Sequence, residues 1–257
     1  MSRIGTDVSS LAAQRFVARA DQLVFGSLQR LSTGTRINRG ADDPAGLIAS
    51  ENLRASLAQL EAESRAIERT DAVANVAEGA LGEVSELLNG ANAAAVAQAN
   101  TAGLSQAERD AYQLEIDSAR QAAARIVSST RFNGQPLLDG SLTLSVGSSG
   151  APGDSLQVAD LNLESVGAGQ PAISDALARV ATLRGQIGSF QKDALAPQLR
   201  SNQAEFENTS AANSIIRDTD FAAEAAQLAR ARVLGASSRS VLALTNARSR
   251  DVLNVLA

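Results

Sequence analysis

The 257-residue chain contains no histidine and no cysteine, a single lysine (Lys192) and a single tyrosine (Tyr112), which removes the imidazole base, the thiolate nucleophile, the disulfide and the usual zinc site. Neither an enzyme, a metal centre nor a cofactor is expected from that inventory. Hydrophobic residues make up 44% but aromatic residues only 3%, so alanine fills space that rings fill elsewhere and suits thin, close-packed helix bundles; the net charge of −5, with arginines scattered along the chain, argues against nucleic acid.

No stretch approaches the roughly 18 apolar residues of a membrane span, so membrane insertion is not expected. Arg3, Asp7, Gln14 and Arg15 interrupt the first segment and leave no apolar signal-peptide region.

The first helix is predicted from Asp7 to Leu31, capped by Thr6 or Asp7, with Val8, Leu11, Ala18 and Phe25 as its apolar stripe. It stops at Ser32-Thr33-Gly34. After a loop, Asp43-Pro44 restarts the chain as a helix: the aspartate accepts free amides, and proline at the first helical position loses no hydrogen bond. The paired Asp42-Asp43 reads as this cap rather than as a metal site. The glycines of this loop lack the spacing and the lysine of a phosphate loop.

From Pro44 to about Asn100 no proline intervenes, and Leu53, Leu60, Ile67, Ala74, Leu81, Leu88 and Ala95 recur every seventh position. A strict heptad implies coiled-coil packing, over a helix on the order of 85 Å long. Val73, Ala77, Ala80, Val84 and Leu87 widen the stripe, so more than one helix should contact it, and part of it is expected to be buried between subunits. Gly103 ends the rod and Ser105 to Glu108 has the capping-box pattern that starts a third, antiparallel helix to about Val127.

Beyond Arg131 the pattern changes. Phe132-Asn133-Gly134 and Asp139-Gly140 are turn signals and Leu142, Leu144 and Val146 alternate, predicting a small β-hairpin; Gly147 to Gly153, with Ser148 and Ser149, reads as a plain flexible turn. Helix resumes at Ser174 with Leu177, Val180, Ile187 and Phe190, and Pro197 should kink or interrupt it. A last helix runs from Phe221, with Ala225, Leu228, Val241, Leu244, Leu253 and Leu256 apolar.

The fold class is therefore mainly α: a long antiparallel helical bundle or coiled coil built from both termini, with a small β-hairpin in the middle. Pairing the two ends covers only part of their apolar stripes, and a terminus with few contacts frays. Other copies of the same chain, joined head to tail in a contact that does not close, would cover the rest.

The residues themselves resemble a family. Leu31 to Gly46, with Leu31, Gly34, Arg36, Ile37, Asn38, Asp42, Asp43 and Pro44, resembles the N-terminal signature of bacterial flagellins; Glu78-Gly79-Ala80-Leu81 resembles a second one. Arg131 to Leu138 is similar to the segment that leaves the third helix for the hairpin. Ile216 to Glu224, with Asp218 and Asp220, resembles the C-terminal signature, and Val252 to Leu256 its closing turn. The resemblance implies an N-terminal inner coiled-coil segment and loop (1–43), an outer helical part (44–130), a hairpin and short variable region (131–171), a second outer helical part (172–217) and a C-terminal inner segment (218–257). It implies a secreted homopolymer, the extracellular flagellar filament of swimming bacteria. It also implies three partners: the flagellar export apparatus, an export chaperone at the C-terminal segment, and a filament cap. The signature residues, the seam Leu53, Leu60, Ile67, Leu81 and Leu88, and Leu253 and Leu256 are then the assembly interface. A hook–filament junction protein or an unrelated helical scaffold would be the alternatives. Many flagellins carry an arginine-rich stretch facing a vertebrate immune receptor; here Gly90 and Ala94 occupy it, while Glu115 still fits the pattern.

Overall fold

A computed structural model of the chain describes residues 8–100, 103–146, 154–163 and 166–256. The chain forms two compact units, Met1–Leu57 with Asn208–Ala257, and Ala58–Glu207. In order the elements are α1 (Val8–Thr33), α2 (Pro44–Ala99), α3 (Gln106–Ser129), β1 (Arg131–Phe132), β2 (Gln135–Pro136), β3 (Thr143–Ser145), β4 (Ser155–Gln157), α4 (Gln170–Phe190), a π-helical turn (Gln191–Leu195), α5 (Ala196–Arg217) and α6 (Phe221–Leu256). The Thr6 or Asp7 cap and most of the Gly147 to Gly153 turn lie outside the described residues.

Local signals set most boundaries. Gly34, with φ of 70°, ends α1 in the left-handed conformation, its N–H bonding the Arg30 carbonyl at 2.9 Å. Asp43 caps α2 by accepting the Gly46 N–H at 2.9 Å. At α3 the capping box is complete, Glu108 N–H donating to Ser105 Oγ at 3.3 Å and Ser105 N–H to Glu108 Oε2 at 2.7 Å. Asn133 and Gly134, at φ of 49° and 82°, make the two-residue turn that pairs β1 with β2. β3 and β4 pair antiparallel with Leu144 opposite Leu156, so the middle holds two short ladders rather than one. α4 begins at Gln170, earlier than expected, because Pro171 lies in its first turn behind the Gly169 cap.

In the unit Ala58–Glu207, α2 is the spine. Its heptad residues Ile67, Ala74, Leu81, Leu88 and Ala95 are buried in one core with Ile116 and Ala123 of α3, Leu144 and Val158 of the hairpin, and Val180 and Ile187 of α4. Polar ties run outside that core: Arg184 to Glu78 at 3.1 Å, Gln191 to Asp71 at 2.8 Å, and Gln98 to Gln113 at 3.1 Å.

Pro197 interrupts regular α geometry without breaking the helix. Buried positions follow Ile173, Ala176, Val180, Leu183, Ile187 and Phe190, then jump five places to Leu195 and later to Asn202. An uninterrupted three-four series would bring residue 197 inward. The π turn inserts one residue, and the Ala196 N–H bonds the Gln191 carbonyl five residues back; the next donor in that ladder would be Pro197, which has none.

Leu81 is 0% exposed whereas Glu83 is exposed. Leu81→Asp places an unpaired carboxylate in the core and should cost more than about 3 kcal/mol, against about 0.5 kcal/mol or less for Glu83→Ala. Thermal melts of the two variants followed by helicity check this, and equal midpoints would contradict the assignment of the seam.

Candidate assembly surface

In the unit Met1–Leu57 with Asn208–Ala257, α1 lies antiparallel along α6. Ser10 Oγ donates to Asn246 Oδ1 at 2.9 Å, Arg239 meets Asp21 at 2.6 Å and Arg30 meets Glu224 at 2.9 Å. The buried residues between the helices are mostly short, Ala13, Ala20 and Ser27 from α1 and Ala231 and Gly235 from α6, with Leu228 and Glu224 the exceptions, and half-buried Val17, Val24 and Leu242 continue the same faces. A Cβ built on Gly235 would stand 3.7 Å from Ala20 Cβ, so the two backbones approach closely.

Of the predicted stripes, Leu228 lies in this seam and most of the other described residues do not. Val8, Leu11 and Phe25 on α1, and Val241 and Leu244 on α6, are exposed, Phe25 at 64%. They belong to outward faces. Leu11, Ala18 and Phe25 recur by sevens on one flank of the α1 seam, while Phe16 and Leu23, also seven apart, occupy the other. On α6, Leu234 and Val241 form a similar exposed pair, and Phe221 is exposed at the helix start. The seam was hard to separate from the flanks because half of it is alanine, serine and glycine, which carry little hydropathy; its traces are the seven-residue recurrences of Ala13, Ala20 and Ser27, of Val17, Val24 and Leu31, and of Leu228, Gly235 and Leu242.

The loop after α1 and the turn before α6 close on each other. Thr35 bridges Asp218, the Arg36 N–H donates to the Arg217 carbonyl at 2.7 Å, and the Thr219 N–H donates to the Gly34 carbonyl at 3.0 Å. Arg36 Nη2 reaches the Ile216 carbonyl at 2.8 Å. Ile37 is buried beneath, and a Cβ on Gly46 would crowd the Asp43 carboxylate that caps α2 and stand 2.8 Å from Ile37 Cδ1, so any larger residue there must displace both side chains. Asp42 accepts the Asn38 and Arg39 amides at 3.0 and 2.9 Å, and these bonds hold its carboxyl below the usual range. Asn38 ties back to Thr35, and Arg217 bonds Glu51 at 3.0 Å. Asp220 caps α6 through the Ala222 and Ala223 amides, and Asp218 accepts from Ser214 Oγ.

The structure therefore brings the loop residues Gly34, Arg36, Ile37, Asn38, Asp42, Asp43 and Pro44 into the same unit as Asp218 and Asp220, with Leu31 and Leu53 half-buried in it. Ile67, Leu81 and Leu88 belong to the other unit, within its hydrophobic core, and Leu60 is buried in that unit outside the core cluster. The side chains of Leu253 and Leu256 lie outside the described residues. In the receptor-facing stretch Gly90 and Glu115 are exposed. Ala94 is 5% exposed and packs into the core, so it faces no receptor; the sequence reading placed it outward because alanine marks neither face of a helix.

Two family models match this chain in order: the bacterial flagellin N-terminal helical region over residues 4–143 and the bacterial flagellin C-terminal helical region over residues 171–256. The chain belongs to the bacterial flagellin family. This flagellin is 28% identical to a flagellar filament 30.7 kDa core protein of Treponema maltophilum over 99% of both chains. It is 30% identical to a flagellin of Halalkalibacterium halodurans over 90% of both, and 25% identical to a flagellin of Bacillus subtilis over 99% of both.

Charge couples the clamp to pH. The hydrogen bond from Arg30, and then the Ser27 hydroxyl and the Arg30 charge, hold the Glu224 carboxyl below its usual range against the effect of burial; Glu51 is shifted the same way, mainly by Arg54 and then by Arg217. A carboxylate depressed in the folded state contributes stability above its unfolded pKa, and that stability is lost as pH falls through the folded value. Protection of α1 and α6 amides should therefore decline as pH drops below the ordinary carboxylate range. Glu224→Gln should flatten that decline, and hydrogen exchange across the acid range measures both.

Proposed function

We infer that this flagellin enters its polymer through the unit formed by its two ends. The chain is a structural subunit of the bacterial flagellar filament. The observation that carries the mode of entry is the pair of apolar flanks on α1, with Phe16 61% and Phe25 64% exposed on either side of a seam already filled by α6. One partner on one face leaves the other flank in water. Helices apolar on several sides are covered by several neighbours, and repeated head-to-tail contacts of one chain supply them without closing.

On this reading segments 1–43 and 218–257 form the inner coiled coil, 44–130 and 172–217 the outer helical part, and 131–171 the hairpin and short variable region. The signature loops, with Leu253 and Leu256 of the closing turn, serve assembly. The chain is exported to the cell exterior by the flagellar apparatus, with a chaperone on the C-terminal segment and a cap at the growing tip, and it catalyses nothing. The family resemblance supports these partners; among the described residues no helix is long and apolar enough to cross a membrane.

Phe25→Ser should leave helicity unchanged, because the ring is exposed in the single chain. It removes about 2 kcal/mol of burial in the polymer and raises the critical concentration roughly thirtyfold. Deletion of 1–30 or 221–257 should abolish growth. Seeded assembly followed by sedimentation tests both, and normal growth of either deletion would overturn the reading.

For the immune receptor, the altered stretch reduces to Gly90, whose Cβ position is open space, beside exposed Glu115. An arginine hot spot contributes about 2 kcal/mol or more to an interface. The monomer should therefore activate the receptor weakly, and Gly90→Arg should raise its potency in a reporter-cell dose response.

A further inference from the structure

We propose that Arg19 and Arg230 bar one apolar side of the α1–α6 pair from closing on the same side of a second copy, so that the copy meets it with the opposite side of its own pair. The proposal rests on the α1–α6 pair being the assembly element and adds which of its sides meet.

The seam divides the pair into two unlike sides. Ser10 with Asn246 and Asp21 with Arg239 join the helices along one of them. Leu23 stands two residues from Asp21 and Leu234 five from Arg239, rotations of about 200° and about 140° round an α-helix, so both face the other side. Phe16 and Val241 lie seven residues from them and share it. Ala20 lies against Gly235 and Arg30 against Glu224, an alignment that sets Val241, Phe16, Leu234 and Leu23 one after another in a row supplied alternately by α6 and α1. Their exposures are 50, 61, 54 and 40%.

Arg19 and Arg230 each stand four residues before a leucine of that row, exposed and without an ion-pair partner among the described residues. Among the described side chains of α1 and α6 the carboxylates are Asp21, on the opposite side, and Glu224, buried against Arg30. Two copies closing on the row through a two-fold axis would match in shape but not in charge. Such a contact gathers two arginines from each copy with no carboxylate to receive them, and like charges brought together at an interface suppress it.

The opposite side differs. Phe25 and Leu28, four and seven residues from Asp21, are exposed on it. Asp21 Oδ1 accepts from Arg239 at 2.6 Å, and its other oxygen takes no hydrogen bond among the described residues, so a second guanidinium can reach it. Arg232 stands there too, seven residues before Arg239, yet this side offers the carboxylate that the row lacks. A row set on this side of the next copy covers apolar groups with apolar groups and brings Arg19 or Arg230 to Asp21. The two surfaces are different, so the contact repeats without closing.

Sedimentation velocity of the full chain without seeds reads the bar. The wild type should run as a monomer. Arg19→Glu, which leaves the row with no net charge, should shift most of the chain to dimer at the same concentration. Arg19→Glu with Arg230→Glu, charged again, should return it to monomer. Phe16→Ser and Leu234→Ser added to Arg19→Glu remove the row itself and should abolish the dimer. A dimeric wild type, a monomeric Arg19→Glu chain, or a dimer that survives the two serines would overturn the bar. The chain has no cysteine, so introduced ones report packing in seeded pellets without background. Ala12, four residues before Phe16, and Ala18, seven before Phe25, mark the two sides. With a short bismaleimide crosslinker, Ala12→Cys together with Ala18→Cys should give a ladder of multimers, and either alone should give none. Dimers from Ala12→Cys alone, or no ladder from the pair, would overturn the head-to-tail placement. The sedimentation arms need no polymer, so they hold or fail apart from the assembly reading, which the terminal deletions test.

Discussion

The terminal unit depends on how closely α1 and α6 approach. A Cβ on Gly235 would meet Ala20 Cβ at 3.7 Å, an ordinary van der Waals contact, so the helices are close enough for alanine but little more at this point, and this closeness has two consequences. The intramolecular contact is made of residues that bury little apolar area, so it contributes little to stability on its own. The large side chains of both helices are then left on outward faces, where a second chain gains by covering them. A seam of leucines would have reversed this division, giving a stable hairpin with a smaller apolar surface for neighbours.

The other unit solves the opposite problem. Along α2 the heptad leucine and isoleucine side chains point into a core closed by α3, α4 and the hairpin of the same chain. Its glycines Gly79 and Gly90, exposed, and Gly82, half-buried, meet nothing within 4 Å of a Cβ. The unit Ala58–Glu207 thus buries most of its heptad stripe itself, with Val96, Leu114 and Phe206 left exposed, while the unit of the two ends leaves more of its large apolar residues in water.

That difference also explains how much was legible in the sequence. Element starts and stops were, because Asp43-Pro44, Ser105 with Glu108, and Asn133-Gly134 act through contacts only a few residues away. The α2 heptad was legible because hydropathy and burial coincide in a self-contained core. In α1 and α6 they separate: Phe16, Phe25 and Leu244 are exposed, and many of the residues buried between the helices are alanine, serine and glycine. Periodicity found a stripe there without separating the seam from its flanks. Ala94 was misplaced outward for the same reason, and the π turn at Gln191 to Leu195 left no compositional mark except Pro197.

The closure of loop 34–43 on residues 216–219 connects these observations. Backbone hydrogen bonds, from Arg36 N–H to the Arg217 carbonyl and from Thr219 N–H to the Gly34 carbonyl, make the closure independent of most side chains. The side chains that do matter there either cap a helix, as Asp43 and Asp220 do, or organise the loop, as Asp42 and Asn38 do. Such a clamp fixes where α1 ends relative to where α6 begins. The Arg30–Glu224 pair forms a charged layer of the seam at that same end of the hairpin. Glu224 stands four residues from Asp220, its N–H bonded to the Asp220 carbonyl at 2.9 Å, so the clamp and the layer occupy successive turns of α6 and restrain it together.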